Sequence, residues 1–252
     1  MNINSDINVL GSIADLSIIQ LFLKQIGKSS STKKSQQSKT NIKTERSYSR
    51  YQKAITHTLL SFPNKNVESL IREAIQAESI TKDTLLLLFW NASYNNELLR
   101  YLNFNVYFPA LFSGRAVLRN DEIVACLKEL KETEPSLQKW TEKTITTTAS
   151  KYLTLLKKFN LLEGRLKKTI THHHMSTKAF VFFVYWLKAV DPKPNILSSE
   201  FLPYSLMETE ILLKQSLLPH YKKWFQVTFT GDRLSISPTL PYEEVCCELI
   251  NS

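Results

Sequence analysis

The sequence predicts a mainly α protein: a helical N-terminal part followed by winged helix-turn-helix-like modules with small β-hairpins. Three observations carry this reading. Glycine is scarce, with five in 252 residues. That argues against Rossmann and P-loop folds, whose phosphate turns need it. Apolar residues recur at helical spacing along most of the chain. The short runs that read as strands come after helical stretches, once near 165–170 and once near 223–237.

From the N-terminus, residues 9–26 read as a helix with Ile13, Leu16, Ile19, Leu21 and Leu23 on one broad face and Gly27 as C-cap. Residues 28–44 are polar and rich in serine and lysine, a loop or solvated basic arm. Ser47 or Ser49 is expected to cap a helix over about 49–61, with Tyr51, Ile55, Leu59 and Leu60 inward and Pro63–Asn64 beyond its end. Helices at about 66–77 and 81–101 follow. Residues 103–114 are aromatic and read as an irregular connector packed on the core.

The next stretch is the most informative. Asn120 can cap a helix whose first turn holds Asp121 and Glu122 and whose apolar side is Ile123, Val124, Leu127 and Leu130. Pro135 begins a short second helix ending near Trp140, and Thr141 caps a third running to about Phe159. Leu161–Leu162 lead to Glu163–Gly164, after which RLKKTI can return as a strand. Helix, short helix, longer helix, turn and strand follow the layout of a winged helix-turn-helix.

On a helical wheel of the third helix, Ala149, Tyr152, Leu153, Leu155, Leu156 and Phe159 lie within about 80° of Ile145. The other half holds Lys143, Thr147, Ser150, Lys151, Thr154, Lys157 and Lys158, with no acid among them. Solvated helix faces usually mix signs, to gain Glu–Lys pairs four residues apart. A face of Thr, Ser and Lys alone suits phosphates and base edges. The plainer alternative is a lysine-rich surface helix.

Beyond residue 170 come THHHMST, an apolar helix over Thr177–Val190, and a break at DPKPN. Short helices at about 198–202 and 205–217 are followed by a hairpin of KWFQVTFT and RLSIS around Gly231–Asp232. A last helix over about 241–250 closes the chain. The expected organisation is an N-terminal helical region over 1–113 with a basic arm at 28–53, a winged helix-turn-helix-like module over 114–170, and a second winged-helix-like unit over 171–252.

The net charge is +9, and it is not evenly spread. Residues 24–53 carry nine basic side chains and one acid, a net of +8, while residues 139–168 carry a net of +6. The remainder is therefore acidic, at −5. Two basic blocks on an otherwise acidic chain point to a polyanionic partner. A solvated lysine-rich surface remains the bland alternative.

Three cysteines, two of them adjacent, do not make a disulfide framework and fit a reducing cytoplasm. The N-terminus lacks the pattern of a signal peptide, and the apolar runs Leu85–Trp90 and Ala179–Leu187 are shorter than the roughly 20 residues of a membrane span. A cytoplasmic protein is expected, with no membrane association and no small-molecule substrate. No hydrolase, zinc-protease or nucleotide-binding motif occurs. His172, His173 and His174 point different ways on a turn, and no metal site is expected there. Glu129 and Lys131 mimic the E-x-K of some metal nucleases, but within a helix rather than a strand. The expectation is a non-enzymatic protein with no cofactor.

The stretch 103–164, NFNVYFPALFSGRAVLRNDEIVACLKELKETEPSLQKWTEKTITTTASKYLTLLKKFNLLEG, resembles the BrxA family of BREX phage-defence loci. The features that carry the resemblance are the aromatic lead-in, the helix opening at Asn120–Asp121, the EPSLQKWTEKT turn into a long basic helix and the LLKKFNLLEG ending. VLGSIADLSIIQLFL and KTERSYSRYQKAI resemble the family's opening helices, while the Ser/Lys/Gln-rich stretch near 28–44 departs from it. The resemblance implies a small, non-enzymatic, double-stranded-DNA-binding protein acting beside a methyltransferase, an ATPase and a phosphatase-like partner. The family has also been likened to NusB-type antitermination proteins, and has carried an inner-membrane label that the hydropathy here does not support.

The leading expectation is an accessory protein of a BREX-type defence system that binds duplex DNA. Its contacts would be Lys143, Thr147, Ser150, Lys151, Thr154, Lys157 and Lys158 on the long helix, and Arg165, Lys167 and Lys168 on the wing. Lys43, Arg46, Arg50 and Lys53 of the first basic block would add to them. Other BREX components are candidate partners. About six phosphate contacts would give a log–log salt slope near −5. The alternatives are an RNA-binding antitermination-like factor and a protein-interaction scaffold.

Overall fold

The computed structural model describes residues 3–14, 18–25, 42, 44–76, 80–172 and 174–250. Most of the Ser/Lys-rich stretch, Lys43 and His173 lie outside them. The fold is mainly helical with two small antiparallel sheets, as the glycine scarcity and helical periodicity imply.

The chain divides into two compact units. One comprises residues 1–61 and 88–172, the other 62–87 and 173–252. This differs from the three consecutive segments expected. The physical reason is the segment 62–87, whose helix packs among the C-terminal elements.

The first unit begins with α1 (Asp6–Leu10), α2 (Ile18–Gln25) and α3 (Glu45–Thr58). The single helix expected over 9–26 is thus broken. At Gly11 the chain passes so close to a later helix that a Cβ would stand 2.6 Å from the Lys151 carbonyl oxygen. The cap of α3 is Thr44, not Ser47 or Ser49: its Oγ1 accepts from the Ser47 amide at 3.2 Å. The helix therefore starts earlier and carries Arg46, Arg50 and Lys53 on one exposed side. Its opposite side buries Tyr48, Ala54 and Ile55.

Helix α5 (Lys82–Asn95) contains the boundary between the units, and α6 (Glu97–Leu102) follows it. The helix expected over 81–101 breaks at Asn96, whose Oδ1 caps α6 by accepting from the Leu99 amide at 2.8 Å. The connector expected to be irregular is helical: a π turn at Asn103–Tyr107 runs into α7 (Phe108–Phe112). The extra residue of a π turn breaks the 3.6-residue period, so the aromatic run does not look helical in sequence.

Then come β1 (Val117–Leu118), α8 (Asn120–Thr133), a 3-10 turn at Pro135–Leu137, α9 (Glu142–Lys158), β2 (Leu162–Glu163) and β3 (Lys168–Ile170). The three strands form one antiparallel sheet in the order β1-β3-β2. Val117 pairs with Thr169 and Leu162 with Ile170. Only 168–170 of the expected strand RLKKTI is extended; Gly164–Lys167 is the loop of the hairpin. Leu98, Leu102, Tyr107, Ile123, Leu127, Ile145, Tyr152, Leu156 and Phe159 lie in the buried core of this unit.

The second unit holds α4 (Lys65–Gln76), α10 (Thr177–Val190), α11 (Thr209–Ser216), β4 (Phe225–Thr230), β5 (Arg233–Pro238) and α12 (Tyr242–Ile250). Helix α4 buries Val67, Leu70, Ile71 and Ala74, and packs against α10 and α12. Residues Ala179–Leu187 of α10 are buried all round, as a helix without a polar face must be. Tyr185 Oη donates to the Trp224 carbonyl at 2.6 Å and accepts from the Leu240 amide at 3.1 Å, tying the hairpin to α10. The short helices expected at 198–202 and 205–217 are 3-10 turns at Ile196–Ser198 and Leu202–Ser205, then α11. The hairpin turns at Gly231–Asp232, and among the described residues no third strand pairs with it. Among the described residues, no helix is long and apolar enough to cross a membrane.

Candidate nucleic-acid interface

The candidate site is built on α8, α9 and the β2–β3 hairpin. Helix α8 starts with Asp121 and Glu122 in its first turn, where the helix dipole favours acids. Its N-cap is Arg119, without a side-chain cap bond, so Asn120 is the first helical residue rather than the cap. The turn into α9 is anchored by buried Leu137 and closed by Lys131 Nζ, which donates to the Trp140 carbonyl at 2.7 Å. Thr141 caps α9, its Oγ1 accepting from the Thr144 amide at 3.2 Å.

Helix α9 is fixed through its buried side. Ile145, Ala149, Tyr152, Leu153, Leu155 and Leu156 enter the core. Tyr152 Oη donates to Asn103 Oδ1 at 2.9 Å inside it. The helix ends on Asn160 at φ 63, with Leu161 N bonded to Leu156 O and Asn160 N to Lys157 O. That is the pairing of a Schellman cap, with asparagine in the left-handed position.

The polar residues of α9 do not form one uniform free face. Lys143 and Thr147 are exposed and have no side-chain partner among the described residues. Thr146, Ser150 and Thr154 each donate to the carbonyl four residues back, at 2.9, 3.0 and 2.8 Å. In this arrangement their outward lone pairs accept rather than donate. Ser150 also lies 3.4 Å from Asn120 Oδ1.

Helix α1 covers the opposite edge of α9. Asn8 Nδ2 donates to Thr148 Oγ1 at 3.1 Å, and Gly11 rests on Lys151. Lys158 Nζ donates to the carbonyls of Leu10 and Ile13. Burial, with the nearby Lys151 charge adding to it, pushes the Lys158 ammonium down to about 8. Lys158 therefore serves as a clasp for α1, and Lys151 is half-buried beside it.

Two cations brace the hairpin. Lys157 Nζ donates to the Gly164 carbonyl at 3.0 Å. Lys168 Nζ donates to the Arg165 carbonyl at 2.9 Å and approaches that of Gly164 at 3.3 Å. Burial and then the Lys157 charge lower the Lys168 pKa. Arg165 and Lys167 remain exposed on the loop, with Leu166 between them.

An open cleft of about 1060 Å³ lies between β1, the start of α8, the outward side of α9 and this loop. Arg119, Asn120, Ser150, Thr154, Arg165 and Lys167 help to line it. Asp121 also faces it, 3.4 Å from the Arg119 guanidinium. Glu142, at the start of α9, is paired with Lys128 at 2.9 Å. Arg46, Arg50 and Lys53 form a separate exposed stripe on α3, which packs on α1 and α2.

The BrxA family model matches residues 14–184, well over half of the chain. The chain belongs to the BrxA family. The match contains all of α8, α9 and the hairpin. No curated protein and no solved structure is significantly similar to the chain. BrxA membership makes it a BREX-associated protein and connects it with antiviral defence.

In this BrxA chain, sequence reasoning missed Arg119 and Leu166. Arg119 faces the cleft because β1 pairs with β3, and a two-residue strand leaves no periodicity to detect. Leu166 was hidden in a stretch read as a strand, where alternation would have turned it inward.

Proposed function

We propose that this BrxA-family protein is a non-enzymatic accessory factor that binds double-stranded DNA, with the outward side of α9 and the hairpin loop as its contact surface. In this reading α8, the 3-10 turn and α9 act as a helix-turn-helix, and β1, β2 and β3 carry a wing. The strand order β1-β3-β2 and the hairpin directly after α9 support that likeness.

The observation that carries the proposal is the outward side of α9: Lys143, Thr147, Ser150 and Thr154, with no acid among them, beside Arg165 and Lys167. Lysine and arginine neutralise phosphates, the Thr147 hydroxyl can donate to a phosphate oxygen, and the Ser150 and Thr154 hydroxyls, whose protons go to α9 carbonyls, accept from base amines. Lys157, Lys158 and Lys168 would act indirectly, because their ammonium groups hold the protein's own carbonyls. The α3 stripe of Arg46, Arg50 and Lys53 is a second candidate phosphate surface, and Lys43 precedes it.

Fluorescence anisotropy with a labelled duplex, repeated across salt concentrations, tests this. Binding that weakens steeply with salt is expected. Preferential capture by structured RNA would favour an antitermination-like role. Stable co-purification with another BREX component, without any nucleic-acid shift, would favour a scaffold.

A further inference from the structure

Leu166 is 96% exposed, far more than any other exposed large hydrophobic residue among those described. A solitary surface leucine is ordinary. What sets this one apart is its mounting. Gly164 stands at φ +85, and a Cβ there would lie 2.1 Å from the Lys167 carbonyl oxygen, so the loop is closed tightly on itself. Lys157 and Lys168 tie its carbonyls from two sides. The braced loop therefore holds out three side chains in sequence: a cation, an apolar group and a cation.

We propose that Arg165, Leu166 and Lys167 enter the minor groove of duplex DNA, with Leu166 wedged at a base step and the duplex bent away from it. This rests on the duplex-binding reading above. The flanking cations draw the loop to a surface where two phosphate strands run close together, and the minor groove is only about 6 Å wide. Phosphates offer nothing to a leucine between them. The groove floor and the faces of a loosened base step do. Proteins of many folds insert Leu, Ile, Met or Phe there beside Arg or Lys, and kink the helix. Arginine also favours the narrow groove of A·T-rich sequence.

The test uses the full chain and an A·T-rich duplex of about 30 base pairs, dye-labelled at both ends. Energy transfer reads the bend and anisotropy reads the affinity. The wild type is expected to shorten the end-to-end distance. Leu166→Ala should weaken binding roughly three- to tenfold, since wedge burial is partly offset by unstacking. At saturation it should leave the duplex straight, while Leu166→Met keeps the bend. Distamycin, which fills the A·T minor groove, should compete. The proposal is overturned if the wild type binds without bending, or if Leu166→Ala bends the duplex as the wild type does. It is equally overturned if Leu166→Ala loses only a protein partner. If the wild type does not bind duplex DNA at all, the duplex-binding reading itself fails, which is a separate and distinguishable outcome.

Discussion

Two lysines on one helix should behave in opposite ways when neutralised. Lys143 is exposed on the outward side of α9 and holds no carbonyl, whereas Lys158 clasps α1 through the carbonyls of Leu10 and Ile13. Each phosphate contact contributes about 0.9 to the slope of log K against log salt. On the proposed contact surface Lys143, Arg165, Lys167 and Arg119 are the cations positioned to contribute, for a slope near −3.6. Lys143→Gln should flatten it by about 0.9, an affinity loss of roughly eightfold at 0.1 M salt that vanishes towards 1 M. Lys158→Met should leave the slope unchanged. It leaves the Leu10 and Ile13 carbonyls without this donor, a stability cost of about 1–3 kcal/mol, and each kcal/mol lowers Tm by roughly 2–4 °C in a chain of this size. Anisotropy titrations at four or more salt concentrations, paired with thermal melts, read both effects. An unchanged slope in Lys143→Gln, or an equal slope change in both variants, would refute the division of labour along α9.

Three further outcomes are expected. Gly164→Ala places a Cβ 2.1 Å from the Lys167 carbonyl oxygen at a left-handed φ, so it should cost about 1–3 kcal/mol and weaken DNA binding, leaving helix content intact; wild-type melting and affinity would contradict this. Tyr152→Phe removes the buried 2.9 Å bond to Asn103 and should cost about 1–2 kcal/mol in chemical denaturation, with little change in m-value. The depressed Lys158 pKa makes stability rise with pH. The folded state loses this proton near pH 8 while the unfolded state keeps it into the ordinary lysine range, so the desolvation cost is fully present below about 8 and is relieved above it. Between pH 7.5 and 9.5 the wild type should therefore gain stability relative to Lys158→Met; parallel pH profiles would show that Lys158 does not carry the effect.

The parts of the fold legible in the sequence are those set by local chemistry. Thr141 followed by an amphipathic stretch announces α9, and the nine apolar residues Ala179–Leu187 announce α10, because caps and hydrophobic runs act within a few residues. What could not be read depends on contacts between distant segments. Gly11 must be glycine because α9 lies against it, a fact held at Lys151 rather than near Gly11. The π turn at Asn103 is held by its side chain, which donates to Ser93 Oγ on one side and accepts from Tyr152 Oη on the other. The candidate site divides in the same way. The helical wheel identified an acid-free face on α9, but it could not show that α1 covers one edge of it. Nor could it show that Lys157 and Lys168 turn back onto the carbonyls of a loop to brace it, since a lysine's reach exceeds what spacing alone can determine.

The central claim, as proposed above, is that this BrxA-family protein binds duplex DNA through a small set of exposed cations on α9, the adjacent loop and Arg119. The most direct test is the affinity of the wild-type chain for a duplex of random sequence as a function of salt, with structured RNA as competitor. The account predicts a log–log slope between about −3 and −4 and displacement by duplex in preference to RNA. No binding at low salt, a flat slope, or preferential displacement by RNA would contradict it.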